Sequence, residues 1–259
     1  MLQIIRTEWL KVKSYRTFWV LLLLAVVSIP AANFIVAEIS ETIREQSQNK
    51  IPVNLYDFPL IWQTMAWINS FMTAVFGFPL LILVTNEFTY KTHRQNIIDG
   101  WERQEFVLAK LFWWLTFGVL ALVITLVSGT ILGLAYASHP LSLEDSRFLL
   151  YYFLQVEVSM AIALLISVLV RRAGLAIVLY LAYITLLDQL LVLIIKRNVG
   201  KIGSLLPMQA ADELIPFPIV DKLIPNTNRY DDSVYLMMLL VYIALMIFLV
   251  FRKMLKTDY

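Results

Sequence analysis

Six long apolar stretches dominate the pattern of hydrophobic and polar positions along the chain. They cover Phe18–Ala37, Leu60–Val84, Leu111–Ala137, Phe148–Val170, Ala173–Ile195 and Val234–Phe251. Each has 18 to 27 residues, and a helix rising about 1.5 Å per residue crosses a hydrocarbon core of roughly 30 Å over that length. The pattern therefore predicts an all-α, polytopic membrane protein in which residues 1–259 form one transmembrane domain of six helices.

The composition supports the same class and excludes several others. Apolar residues make up 60% of the chain and charged residues 15%, against roughly 45–50% and 25% in soluble domains. A water-soluble enzyme and a disordered chain are therefore excluded, because neither could hide so much apolar surface. Continuous apolar runs also argue against a transmembrane barrel, whose strands alternate in polarity. Since cysteine is absent, the chain has no disulfide and no thiolate metal site.

The distribution of charge predicts the orientation of the spans. If both termini are cytoplasmic, the inner segments hold 13 of the 21 Lys and Arg residues and 6 acidic residues. The outer segments hold 8 Lys and Arg residues and 11 acidic residues. This excess follows the positive-inside rule. We therefore expect a multi-pass protein of the cytoplasmic membrane with both termini inside and a retained, uncleaved first span.

Residues 1–16 carry an amphipathic helical pattern. Leu2, Ile5, Trp9 and Val12 follow one another at intervals of 3, 4 and 3 positions, which places them on one face of a helix. The basic residues of the segment are Arg6, Lys11, Lys13 and Arg16. An interfacial helix contacting anionic lipid is predicted, because its apolar face can enter the headgroup region while its cations meet the lipid charge. A cytoplasmic extension of the first span is the alternative.

The segment between the second and third spans, residues 86–110, is predicted to contain a short helix at the inner membrane surface. Asn86 can cap a helix over Glu87–Ile98, and Gly100 permits a turn. Trp101–Lys110 then restarts a helix leading into the third span. This helix would expose charged and aromatic side chains to the cytoplasm and could dock a soluble partner. It could equally lie on the membrane without one.

Two short features complete the organisation of the spans. Arg171-Arg172 alone joins the fourth and fifth spans and predicts a tight inner hairpin. Residues 196–233 combine apolar clusters with several prolines, which prevent long helices. We interpret them as short helices at the extracellular face, some dipping into the membrane as a re-entrant segment.

Two acidic residues lie within the apolar spans. Glu157 in the fourth span and Asp188 in the fifth are each placed about 10–14 Å below the outer surface by a rise of about 1.5 Å per residue. Because a charge in hydrocarbon is costly, we expect the two acids to face one another across neighbouring helices. With Gln155 and Gln189 they could line a translocation pathway, or they could serve structural hydrogen bonds and ion pairs.

Other polar residues indicate no chemistry of their own. Gln63 and Asn69 in the second span are interpreted as interhelical hydrogen-bonding groups. The chain contains no His-Glu-x-x-His, Gly-x-Ser-x-Gly or Walker sequence. Catalytic residues, a bound metal and a nucleotide site are therefore not expected. The formal charge of +2 is also too small to indicate nucleic-acid binding.

These segments together resemble the membrane subunit of ABC-2-type transporters. The stretch Ile5–Lys11, continued by Tyr15–Trp19, is similar to the elbow helix that leads into the first span of that family. The family's coupling-helix pattern is matched by Glu87, Phe88, Thr92, Gly100, Arg103 and Lys110. The Pro or Ser often found near Trp101-Glu102 is missing. The resemblance implies a coupling region formed by Glu87, Phe88, Thr92, Arg94, Gly100, Trp101 and Arg103.

The resemblance also implies partners and a mechanism. Two permeases, identical or related, would combine with two ATPase subunits that bind ATP and Mg²⁺, while this chain binds no cofactor. ATP-driven export of an unidentified substrate would follow. The alternatives are a secondary transporter that uses Glu157 and Asp188 and an anchor subunit of a larger assembly.

Overall fold

A computed structural model describes residues 2–46, 54–92, 95, 98, 100–218 and 229–256. Helices dominate these residues, and no strand occurs among them. The ten α-helices named here are α1 (Leu2–Lys13), α2 (Arg16–Gln46), α3 (Ile61–Ser70), α4 (Thr73–Thr89), α5 (Arg103–Tyr136), α6 (Arg147–Val170), α7 (Ala173–Ala182), α8 (Asp188–Val199), α9 (Pro207–Leu214) and α10 (Asp232–Leu255). A π-helical turn (Tyr183–Leu187) joins α7 to α8, and a 3₁₀ helix (Gly200–Leu205) follows α8.

Five of the six predicted spans correspond to helices that could cross a membrane, and the predicted second span corresponds to a bent pair of helices. Helices α2, α5, α6 and α10 and the continuous segment Ala173–Leu205 are each long and apolar enough to cross a membrane. Helices α3 and α4 are long and apolar enough only together, as a pair bent by 50°, which is the geometry of a broken span or of a re-entrant loop. At the bend, the Met72 amide donates to the Asn69 carbonyl at 2.8 Å and the Thr73 hydroxyl donates to the Ser70 carbonyl at 3.0 Å. These bonds reach back only three residues, which tightens the turn and redirects the helix.

Helix α6 lies at the centre of the bundle. Of its most apolar stretch, 67% is buried, against 22% for α2 and for α10. It packs against α3, α4, α5, α9 and α10. Helices α2 and α10, which are mostly unburied within this chain, must face lipid or another protein. Helix α6 instead contacts neighbouring helices on most of its circumference.

Buried amides connect the first three spans. The Asn33 side-chain amide donates to Asn69 Oδ1 at 2.6 Å, and the Asn69 amide donates to the Thr125 hydroxyl at 3.0 Å. This confirms the interhelical role predicted for Asn69. Gln63 instead donates to the Pro216 carbonyl at 3.0 Å, so it ties the second span to the segment after the fifth span.

The N-terminal segment is helical as predicted, but its buried face differs. Ile4, Glu8 and Val12 are buried, four positions apart, whereas Trp9 is 47% exposed. Arg6, Lys13 and Arg16 are exposed too, and Lys11 is half-buried. The face that packs on the bundle is thus centred on the Glu8 carboxylate, because it finds cationic partners there. Of the predicted apolar stripe, Val12 is buried, Ile5 is half-buried and Trp9 is exposed.

The predicted helix start at Asn86 is wrong. The Asn86 carbonyl accepts the Tyr90 amide at 2.8 Å, so Asn86 lies inside α4, which continues to Thr89. The chain turns at Lys91, where φ is +56°, and Thr92, Gln95 and Ile98 are helical again. The second span is therefore about one turn longer than its apolar residues indicate.

The predicted turn and restart are confirmed. Gly100 has a φ of +98°, a conformation that costs other residues free energy. Glu102 and Glu105 then form a reciprocal capping box at the start of α5, which satisfies backbone amides that have no partner within the helix.

The bundle has two ends. The terminal face carries α1, residues 90–92 and 100–102, the Arg171-Arg172 link and the end of α10. The opposite face carries the 3₁₀ helix and α9, which agree with the predicted short helices; Pro207 begins α9. Residues 219–228 of that predicted segment lie outside the described residues.

Candidate functional site

Four charged side chains meet on the terminal face and join three helices. The Lys110 ammonium lies 2.6 Å from Glu8 Oε2 and 2.5 Å from Glu87 Oε1. The Lys11 ammonium contacts the same two carboxylates at 2.8 Å and 3.0 Å. This four-charge cluster ties α1 to the end of α4 and the beginning of α5.

Most of the four-charge cluster is withdrawn from water. The side chains of Glu8, Glu87 and Lys110 are at most 4% exposed, while that of Lys11 is 25% exposed. Burial raises the pKa of Glu8, but the charges of Lys110 and Lys11 outweigh it and lower that pKa to about 2. Removing one of the three buried members, Glu8, Glu87 or Lys110, would leave an uncompensated buried charge, which is far more costly than losing an exposed ion pair.

The predicted coupling residues divide between this cluster and its surroundings. Glu87 and Phe88 are buried, which contradicts the expectation that they are exposed to the cytoplasm; their helix turns them onto α1 and α5. The Thr92 hydroxyl donates to Glu87 Oε2 at 3.4 Å. The ring of Trp101 lies 5.3 Å from the Lys11 ammonium. The predicted chain segment is thus attached directly to the four-charge cluster.

The remaining predicted coupling residues lie at the edges of this region. Arg103 donates to the Leu255 carbonyl at 2.8 Å, which fixes the start of α5 against the end of α10. Gly100 supplies the turn before α5. Arg94 lies outside the described residues. A groove of about 270 Å³ lies beside the cluster, lined in part by Tyr15, Asn86 and Tyr90.

A larger cavity lies where two spans depart from regular α-helix. It has a volume of about 500 Å³. Its walls are the bend between α3 and α4, the π-helical turn and the α9 region, represented by Trp67, Phe71, Thr185, Gln189, Asp212 and Phe217. Aromatic walls with a few polar groups are typical of sites for small organic ligands.

Polar side chains converge behind this cavity, around α9. The Gln155 amide donates to Asp212 Oδ1 at 2.7 Å. The Asp188 carboxylate accepts the Tyr183 hydroxyl at 3.2 Å and the backbone amides of Met208 and Gln209 at the beginning of α9. The nearby Lys196 pairs with Glu213 at 3.0 Å. The predicted group of Gln155, Asp188 and Gln189 is therefore gathered here.

Glu157 faces away from that group. A Cβ added to Gly118 of α5 would lie 1.8 Å from Glu157 Oε1, so the carboxylate packs directly on this glycine. Two residues along a helix turn the side chain by about 200°, which explains why Gln155 and Glu157 point in opposite directions. The expectation that Glu157 and Asp188 face one another is therefore wrong. Within the described part of the chain, the Glu157 carboxylate oxygens have no hydrogen-bond partner.

Asp212 is the site residue that sequence reasoning missed. It lines the 500 Å³ cavity and lies in a short helix that no long apolar run marks. Burial, followed by the charges of Asp188 and Glu213, raises the pKa of Asp212 to about 7, although the Gln155 amide opposes the change. The available signal was the adjacent pair of acids, Asp212 and Glu213, within the apolar, proline-containing stretch of residues 205–220.

We expect Asp212→Asn to reduce the pH dependence of stability between about pH 4 and pH 7. Asp212 loses its proton near pH 3.8 when exposed and near pH 7 in the fold. Unfolding in that interval releases a proton, so raising the pH favours the unfolded state. Thermal unfolding midpoints of the purified chain across this interval measure the effect. Glu144→Gln, at an exposed turn, is the control; equal slopes in both variants would contradict this prediction.

Comparison with known protein families identifies the chain. Residues 4–187 match the family described as ABC-2 family transporter protein. This region includes most of α1, the four-charge cluster and the first four spans. A comparison with curated protein sequences found no match. The match covers more than half of the 259 residues and agrees with the helical membrane fold. The chain therefore belongs to the ABC-2 family of transporter proteins.

Proposed function

We propose that this chain is the permease subunit of an ATP-driven exporter. Two permeases would form the path across the cytoplasmic membrane, and separate ATPase subunits holding ATP and Mg²⁺ would drive it. The four-charge cluster is the observation that carries this proposal. It joins α1, α4 and α5 at the point where the predicted docking segment leaves and re-enters the bundle.

The cluster provides a physical means of transmitting motion. Residues 90–102 connect α4 to α5, and Thr92 and Trp101 contact Glu87 and Lys11 of the cluster. Because Lys110 binds both buried carboxylates, a displacement of this segment would move three helix ends together. If one helix end moved without the others, the ion pairs of the cluster would separate and leave unpaired buried charges, which is costly.

The 500 Å³ cavity is our candidate for part of the substrate pathway. Its walls include the bend at residues 70–73 and the π-helical turn. π-Helical turns and helix breaks often occur at functional sites, since they change shape at lower cost than a regular helix. Asp212, Gln189 and Thr185 supply polar contacts, and Trp67, Phe71 and Phe217 supply apolar ones.

The decisive experiment is purification of the tagged chain from its native membrane in mild detergent. We expect an ATPase subunit to accompany it in comparable amount and to show vanadate-sensitive ATP hydrolysis. A folded, monodisperse chain without any ATPase would contradict the proposal.

Charge reversal in the docking region should uncouple hydrolysis from transport. Arg103→Glu replaces a cation beside residues 90–102 and breaks its bond to the Leu255 carbonyl. We expect the complex to retain basal ATP hydrolysis while export falls at least about tenfold, equivalent to about 1.4 kcal/mol of lost coupling. Arg197→Glu, an exposed cation on the opposite face, is the matched control. Full export by the Arg103 variant would exclude this role.

Glu157 supports the alternative of an ion- or proton-coupled secondary transporter. Its buried carboxylate lacks a hydrogen-bond partner among the described residues, and an unpaired acid within a span is a common feature of proton relays. Gradient-driven uptake by the purified chain alone, abolished by Glu157→Gln, would favour this function. An anchor subunit would bind its partner without any transport.

A further inference from the structure

We propose that a groove between α6 and α10 on the terminal face binds an anionic phospholipid. The groove has a volume of about 400 Å³. Leu165 and Leu169 of α6 and Leu249 of α10 form its apolar wall. The cations at one end of it are Arg252, Lys253 and Lys256.

The order of apolar and basic residues matches the order of groups in a membrane lipid. The leucines belong to the final turns of two predicted spans, and the three cations follow Leu249 along α10 within two turns. Acyl chains at the edge of the hydrocarbon core can therefore contact the leucines while a phosphate reaches the cations.

The cationic end of the groove has a fixed position. Met254 is 1% exposed, and the Leu255 carbonyl accepts the Arg103 guanidinium at 2.8 Å. The last turn of α10 is therefore packed against the bundle. It presents Arg252, Lys253 and Lys256 at the surface without a fraying helix end.

The charge of the groove selects the kind of lipid. No acidic side chain is among the described residues that line it. Cations at a helix C-terminus complement the helix dipole, and here three such side chains also line one groove. Each Lys or Arg near an anionic membrane surface contributes roughly fivefold in binding. A zwitterionic headgroup should bind more weakly, because its own cation is repelled by the basic side chains of the groove.

The test measures lipid retention directly and does not depend on transport. The detergent-purified chain is incubated with phosphatidylglycerol or phosphatidylcholine and analysed by native mass spectrometry. We expect phosphatidylglycerol to be retained preferentially. The combined variant Arg252→Gln, Lys253→Gln, Lys256→Gln should weaken this retention about tenfold or more. A control variant, Arg197→Gln, Lys201→Gln, removes exposed cations from the opposite face and should retain the lipid.

A second variant tests the apolar wall separately. Leu169 is 54% exposed, so Leu169→Trp can fill the groove without disturbing the core. It should reduce retention of phosphatidylglycerol while leaving all three cations in place. Inorganic phosphate should displace the lipid poorly, because it lacks acyl chains. Equal retention of both lipids, unchanged retention in the triple variant, or efficient displacement by phosphate would each overturn the proposal.

Discussion

Replacing Lys110 with methionine is expected to destabilise the chain by about 3–5 kcal/mol. The Lys110 side chain is 1% exposed, and its ammonium binds Glu8 and Glu87, both buried. Methionine preserves most of the volume but leaves two carboxylates close together with only Lys11 between them. Loss of one partner from a buried ion pair typically costs this much. Thermal unfolding of the purified chain, together with its yield in the membrane fraction, measures the loss.

Two comparisons separate charge from packing in this prediction. Lys11→Met removes a cation that contacts the same carboxylates but is 25% exposed, so it should cost about 1 kcal/mol or less. Adding Glu8→Gln and Glu87→Gln to Lys110→Met should recover much of the lost stability, because no unpaired buried charge remains. If Lys110→Met and Lys11→Met were equally mild, the four-charge cluster would not hold α1 in place.

Gly77→Ala is expected to destabilise the contact between the second and fifth spans by about 1–3 kcal/mol. A Cβ at this position would lie 2.2 Å from the Tyr180 hydroxyl oxygen and 2.4 Å from its Cζ. The tyrosine ring cannot easily retreat, since it is fully buried and its hydroxyl shares a 2.8 Å hydrogen bond with Ser159. Thermal unfolding of the purified variant measures the cost.

A matched glycine and a rescue variant make this prediction specific. Gly174→Ala, where the added Cβ has no neighbour within 4 Å, should be neutral or slightly stabilising because alanine favours helix. Tyr180→Leu should partly rescue Gly77→Ala by opening space. Tyr180→Phe should rescue less, since the ring carbon at 2.4 Å remains. Equal stability of the two glycine variants would refute the close approach.

Substitutions at Lys110 and Gly77 test two different contacts of α4. One contact fastens the terminal end of this helix to α1 and α5, and the other places its middle directly on α7. If α4 transmits movement from the docking segment, the Lys110 variant should also impair ATP-driven export by the residual folded protein. The Gly77 variant should alter α4 nearer the 500 Å³ cavity, which Thr73 and Ala74 also line.

The transmembrane helices could be predicted from the sequence because each depends on a local property. A run of apolar residues long enough to cross hydrocarbon must satisfy its own backbone hydrogen bonds, and the helix does this without any neighbour. The turn at Gly100 and the capping of α5 are also local, because each depends on residues that are close together in the sequence. The interhelical bond of Asn69 was also predictable, because a buried amide within a span needs a partner.

Tertiary structure decided which partners the polar residues find. Glu87 looked like an exposed docking residue, but the cations of α1 and α5 draw it inward and extend α4 beyond its apolar run. Glu157 and Asp188 looked like a facing pair, but they separate because Glu157 packs on Gly118 while Asp188 binds the start of α9. The sequence by itself determined the six spans and the family resemblance. The charged contacts, the 500 Å³ cavity and the two grooves depend on residues far apart in the chain, which no local pattern specifies.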